Sequence, residues 1–480
     1  MHRLGKSPRR CSLLAFAVFL SAVAPCCAED AATAKPRVAQ QLGPLSLDDV
    51  SWLFPPPKTV KDLENTIAIA DLTSPDPFDS TRREPILPDE VFKKFIDTVE
   101  SDKTKINEHR VFLPADAHDI KVWRVAGLRI DPGAPGLSNA VMKEFGQIPQ
   151  LRFILQPVTV HSDGFVEVHD VAAHVIYNFS QEGLKSLGWL PPIGCFPKGR
   201  PDMEAFRGLA RDFRMLRDQL GAGQFGGQAI ATNGALLGVH PGLASASAKP
   251  LRDALVKVLE KHLGAERLSG LAIMALADHA PQPWVFMATG LFPVFGLRAL
   301  PAPTLDGRQF AEALAVNDES HQVVPTPATN NLNPITCKNA AVPFGGLVLP
   351  PAKRKGVSTA ELFELGDKPV TDLKTAARVR KIVDIIADPT RSHFFNTDCV
   401  SCHTDTRRTL DLLPGSKIPG VDPTALPGSK WNVRNFGWSL SKEAEKPGDK
   451  AATSAATATR RAASETQAVV DYINSHGLAR

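Results

Sequence analysis

Two thiols and an imidazole stand together at Cys399-Val400-Ser401-Cys402-His403. Cysteines separated by two residues, with a histidine directly after the second, form the pattern for covalent haem attachment. Each thiol can form a thioether to one porphyrin vinyl group, and the adjacent histidine then lies under the ring with its imidazole toward the iron. A proximal histidine commonly holds haem iron, and the opposite face decides between electron transfer and ligand chemistry. Two other chemistries use the same thiols. A thioredoxin-like redox pair prefers a βαβ setting, and a four-thiolate zinc site needs a second Cys-x-x-Cys pair, which the chain lacks. Neither accounts for His403. The spacing therefore predicts one covalent haem c, with Cys399 and Cys402 as thioether attachments and His403 as the proximal iron ligand.

Three further groups invite a chemical reading. His161, His169 and His174, interleaved with Asp163 and Asp170, are residue types that suit zinc, copper or iron. Their spacing matches no compact ligand motif, and a polar hairpin edge with solvated histidines describes them as well. Cys195 and Cys337 are the other thiols beyond the first thirty residues, and in an exported protein such a pair predicts a disulfide. The glycine-rich run Gly221-Ala222-Gly223-Gln224-Phe225-Gly226-Gly227 lacks the lysine of a phosphate-binding loop. There is no His-Glu-x-x-His, no calcium loop and no pentapeptide around a nucleophilic serine.

The N-terminus sets the expected compartment. A basic stretch, Met1 to Arg10, precedes the apolar run Cys11 to Ala24, and Ala28 stands before the acidic pair Glu29-Asp30. That is the layout of a secretory signal peptide over residues 1–28, cleaved after Ala28. It predicts a periplasmic or otherwise exported protein. The apolar run is short for a span of about 20 residues, and Pro25 disfavours acylation of Cys26 or Cys27. No later stretch is long and apolar enough to span a membrane. A net charge of +4 over 480 residues gives no basic footprint for nucleic acid.

The elements that must position these residues follow from periodicity. Residues 29–60 form a lead-in ending in Trp52-Leu53-Phe54 and three prolines, which favour an extended segment. Residues 61–300 then read as an α/β or α+β body. Asp89 to Glu100 has helical spacing, Ile120 to Ile130 and Leu151 to Val160 read as strands, and Asp163-Gly164 supplies a hairpin turn to Phe165–Val168. Phe206, Leu209, Phe213, Leu216 and Leu220 stripe a helix, and Pro250 to His262 makes another. Leu268 to Ala277 and Trp284 to Phe295 are short apolar runs that fit a strand or a buried helix equally. Residues 301–359, rich in Pro, Asn and Thr, predict a long irregular connection.

Residues 360–480 carry the thiol motif. Thr371 to Ala387 predicts a helix before it and Glu465 to Ser475 one at the chain end, with proline-rich loops between and an Ala/Thr/Lys insertion near 442–461. This arrangement around Cys399, Cys402 and His403 resembles a mono-haem cytochrome c domain, over about a quarter of the chain. The resemblance implies an all-α domain whose terminal helices close one edge of a haem pocket. Family members usually supply a distal methionine downstream, yet no methionine follows Met287. His476 is the downstream candidate for distal ligand, with Asn432, Asn435 and Lys442 as weak ones and His393 upstream. Arg407, Arg408 and Arg434 are candidate propionate partners. The fold class expected is thus multidomain, an α/β body followed by an all-α cytochrome c-like domain. The function implied is an exported c-type cytochrome that passes electrons to or from a partner protein. A haem peroxidase or oxidase with an open distal site, and a haem-based gas or redox sensor, remain alternatives.

Overall fold

The computed structural model describes residues 43–76, 79, 81–100, 113–133, 147–181, 200–232, 234–276, 284–292, 296–300, 316–317, 322–323, 368–392, 399–428, 434–440 and 454–480. Its centre is an antiparallel sheet. The strands are β1 (Ser51–Leu53), β2 (Trp123–Asp131), β3 (Gln150–Val160), β4 (Val166–Val168), β5 (Val171–Asn178), β6 (Leu268–Leu276), β7 (Trp284–Phe292) and β8 (Gly296–Leu300). They are ordered β1-β2-β3-β5-β6-β7-β8, with β4 paired to the far end of β3. The Asp163-Gly164 turn joins β3 to β4, and Gly164 adopts the left-handed φ of +84° that this turn demands. Both ambiguous apolar runs become strands, because β6 finds open edges on β5 and β7.

Alternation gives the sheet two unlike faces. Leu128 lies opposite Phe153 and Ile130 opposite Leu151, and these continue through Val175 and Tyr177 to Leu271. This apolar face is covered by helices. Trp52, opposite Leu128 on β1, meets Phe213 of α2 (Met203–Gly221) edge-on at 5.7 Å. Phe179, just beyond β5, meets Phe206 of the same helix at 6.1 Å. The helix α1 (Asp89–Glu100) buries Phe92, Phe95, Ile96 and Val99, and α3 (Ala248–His262) buries Leu251, Leu255 and Leu259.

The other face is polar. Arg129 and Asp131 of β2 share it with Gln150, Arg152 and Gln156 of β3 and His174 of β5. Chain from the C-terminal quarter lies on it. The helices here are α4 (Leu373–Ala387), α5 (Cys399–Leu412) and α6 (Arg460–Ser475), and the strands are β9 (Phe436–Leu440) and β10 (Ser454–Ala458). Asp372 and Thr459 cap α4 and α6 by accepting from Thr375 N and Ala462 N. Chain from Leu42 to Arg480 forms one compact unit.

Strands β9 and β10 correct the expected fold class. They pair antiparallel, Phe436 with Ala458 through Leu440 with Ser454, so the region around the thiol motif is mixed α/β and not the all-α domain implied by the resemblance to cytochrome c. The physical reason lies in side-chain size and aromatic content. Phe436 and Trp438 suit a pleated surface, and the Ala/Thr run expected to be an insertion supplies small residues that lie close beside them. The hairpin also sits hard on the sheet. A Cβ added at Gly127 would come within 2.7 Å of the Phe436 ring, and one at Gly437 within 2.8 Å of Gln156 Oε1.

Candidate functional site

The first turns of α5 present Cys399, Cys402 and His403. Positions three and four apart share a helix face, so one face carries all three positions. Cys402 is half-buried and packs against a small core of Ala376, Val379, Ile382, Val383, Ile386, Leu412 and Leu413 contributed by α4 and the end of α5. His403 is half-buried beside it, and the next three residues, Thr404, Asp405 and Thr406, are buried. Thr406 Oγ1 accepts from Arg460 N at 2.9 Å, which ties α5 to the start of α6.

Arg461 is the main fastener of the region. Its Nη1 donates to Ile386 O at 2.9 Å and to Ser392 O at 2.7 Å, and its Nε donates to Glu465 Oε1 at 2.8 Å. Glu465 Oε2 in turn accepts from Arg129 Nη1 at 2.9 Å, so α6 is pinned to β2. Burial works to raise the Glu465 pKa, but Arg461 and Arg129 overcome it and hold the carboxyl at about 2. The field of Arg461 also reaches Cys402.

Across from α5 lies the polar sheet face. Arg129 stands opposite Arg152 in register, and Ile154 opposite His174. Burial pushes His174 well below the usual imidazole range, and the positive charges of Arg152, His403, Arg434 and Arg129 push it the same way. That places His403 and His174 within electrostatic reach of each other, with His174 neutral. Arg434 donates to Asp170 Oδ1 from Nε at 3.0 Å and from Nη2 at 2.8 Å, and to Met274 O at 3.2 Å. Burial raises Asp131 to about 6, against the opposing pull of Arg129 and Arg152.

Asp131 gives a pH prediction. Its folded pKa lies above its unfolded one, so its contribution is fully present below about pH 4 and is lost as pH rises through about 6. Asp131→Asn is therefore expected to flatten the fall in stability between pH 4 and pH 6, which for one such group amounts to at most about 3 kcal/mol. Urea denaturation of both proteins at pH 4.5 and pH 7 measures it. Equal pH slopes would contradict the assignment.

The predicted site residues fare unequally. Cys402 and His403 are neighbours on α5, and His174, from the distant histidine group, lies within electrostatic reach of His403. His161 and His169 do not. His161 Nε2 pairs with Glu167 at 2.9 Å and His169 Nε2 contacts Thr159 Oγ1 at 2.7 Å, both at the β3/β4 end. His476 ends α6, exposed, with Nδ1 donating to Tyr472 O at 2.9 Å and its ring stacked on Tyr472 at 4.0 Å. Arg407 is held by Asp411 and by Pro427 O. Cys195, Cys337, His393, Asn432 and Lys442 lie outside the described residues, as does the signal segment.

The expected haem c is corrected here. Among the described residues no group of three or more His, Cys, Asp and Glu side chains gathers to hold a metal ion. The β9/β10 hairpin also takes the place of the all-α enclosure that the cytochrome c resemblance implied. The described residues thus do not assemble the small cytochrome's iron site. No disulfide occurs among the described residues either. No helix among them is long and apolar enough to cross a membrane. No protein-family model, curated protein or solved structure matches the chain.

Sequence reasoning passed over Arg129, Arg152, Arg461 and Glu465. One signal was present. Gln150, Arg152 and Gln156 alternate with Leu151, Phe153 and Leu155 in a strand otherwise apolar enough for a core, which marks a face that must meet polar partners.

Proposed function

We propose that the chain is an exported electron-transfer protein that exchanges electrons with a partner protein through Cys399 and Cys402, the two thiols giving up two electrons and two protons to the partner's disulfide as they close to a disulfide of their own. The observation that carries this reading is the seat of the Cys399–His403 segment. Cys402 packs on an apolar core within the field of Arg461, and His403 lies within reach of a neutral His174. The guanidinium of Arg461 and the charge that Cys402 can carry attract one another. The partly exposed Cys402 and His403 leave the segment open to a protein surface. The signal-peptide layout of residues 1–28 supports an exported location.

A mediated redox titration of the mature protein, recovered from the periplasm of an expression host, tests the proposal. Reversible two-electron uptake is expected at a potential between about −300 and −100 mV, the span of protein dithiol couples. Replacing both Cys399 and Cys402 by serine is expected to abolish it. A wild-type protein without reversible uptake, or a double variant that keeps the same transition, refutes the reading.

A further inference from the structure

The polar face of the sheet holds more positive charge than its fold uses. Arg129 and Arg152 are directly opposite on neighbouring strands, an arrangement that costs stability unless something compensates it. Arg129 has compensation in Glu465 at 2.9 Å and Asp131 at 3.6 Å. Arg152 does not. Its Nη2 donates to the neutral Gln150 Oε1 at 2.9 Å, its Nε is sealed from solvent without a hydrogen-bond partner, and no carboxylate among the described residues lies within ion-pair distance. Buried guanidinium groups are paired in the great majority of folded proteins. On the same face, Asp131 Oδ2 is also buried without a hydrogen bond.

The face is lined but not closed. Arg152, His174 and Ile176 keep partial exposure, while Leu151, Phe153, Val175 and Tyr177 on the opposite face are buried. Four groups surround His174 with positive or protonatable nitrogen: Arg152, His403, Arg434 and Arg129. Of these, Arg434 is engaged by Asp170 and Arg129 by Glu465. Arg152 has no carboxylate in contact and one unmatched donor, Nε. A guanidinium fork recognises planar or tetrahedral oxygen anions through two parallel hydrogen bonds.

We propose that this face is a binding site for a small oxygen anion, a carboxylate or an inorganic oxoanion, with Arg152 as its principal ligand and Arg129 and His174 as flanking donors. The site adjoins the thiol segment but stands apart from the electron-transfer reading, since binding needs no redox step. The occupant compensates the Arg129/Arg152 repulsion, which Asp131 and Glu465 offset only in part.

Thermal unfolding of the full chain with sulfate and with acetate, each compared with chloride at equal ionic strength, tests it without any redox readout. Wild type is expected to gain roughly 2 °C or more, saturably, with at least one of the two anions. Arg152→Met is expected to lose that gain, measured against its own melting temperature in chloride. The general salting effect of sulfate is common to both proteins. Arg152→Lys, which keeps the charge but not the fork, is expected to retain part of the gain. Gains equal to those in chloride, or a gain undiminished in Arg152→Met, overturn the proposal.

Discussion

Replacing Arg461 by methionine is expected to destabilise the chain by about 3–5 kcal/mol, the usual cost of removing one partner from a buried ion pair. Arg461 is 5% exposed and serves several acceptors at once: Ile386 O, Ser392 O and Glu465. Methionine fills much of the same volume, so the loss comes from the orphaned groups and not from a cavity. Glu465 keeps only Arg129, and two buried carbonyls lose their donor. The double variant Arg461→Met/Glu465→Gln should recover part of the loss, because the uncompensated carboxylate is then absent. The pH dependence has a definite sign. Glu465 has a depressed pKa, so its contribution is present above about pH 4.5 and lost as pH falls through about 2. The deficit of the single variant should therefore shrink under acid conditions. Urea denaturation read by fluorescence measures both effects, and a deficit under about 1 kcal/mol at pH 7 contradicts the central place given to this side chain.

Trp438→Ala should cost a comparable amount, about 3–5 kcal/mol for a large side chain removed from a core. Trp438 is fully buried, and its indole nitrogen donates to Phe54 O at 2.8 Å. Its main chain is clamped by one side chain of β3: Trp438 N donates to Gln156 Oε1 at 2.7 Å, and Gln156 Nε2 donates to Trp438 O at 3.0 Å. Trp438→Phe separates the two contributions, since it keeps most of the volume and loses only the donor, about 1 kcal/mol with the Phe54 carbonyl left behind. If the hairpin were a loosely attached part of an independent domain, alanine would cost little more than phenylalanine. A graded series, alanine well above phenylalanine, is the result expected of a hairpin built into the sheet's polar side.

Local pattern was enough for elements that carry their own signal. The stripe from Phe206 to Leu220 marked α2, the Asp163-Gly164 pair marked the β3/β4 turn, and the apolar face from Ala376 to Ile386 marked α4. Elements whose form depends on a partner were not legible. Leu268–Leu276 and Trp284–Phe292 are apolar in a way that suits strand or helix, and the edge of β5 decides for strand. Ser454–Ala458 has no strand signal beyond its pairing with Phe436–Leu440.

The site shows the same division. Cys399, Cys402 and His403 announce themselves by spacing, because five consecutive residues contain the whole pattern. The surroundings that decide their chemistry come from residues far away in sequence. Arg129 reaches Glu465 across 336 positions, and Arg434 reaches Asp170 across 264. A motif holds no record of such partners. The expectation of an all-α haem domain came from the motif and its two flanking helices, while the correcting hairpin lay in a run of alanine and threonine with little pattern of its own.

The thiol segment adjoins the cationic sheet face, and the midpoint potential of wild type against Arg152→Met tests that proximity most directly. Both are titrated in chloride buffer at pH 7. A positive charge near a redox group favours its reduced form, so removing the charge should lower the midpoint by tens of millivolts. That is the scale of one unit charge at roughly 10 Å with an effective dielectric of about 20. A lower midpoint in the variant is the predicted result. Identical midpoints in the two proteins would contradict that proximity.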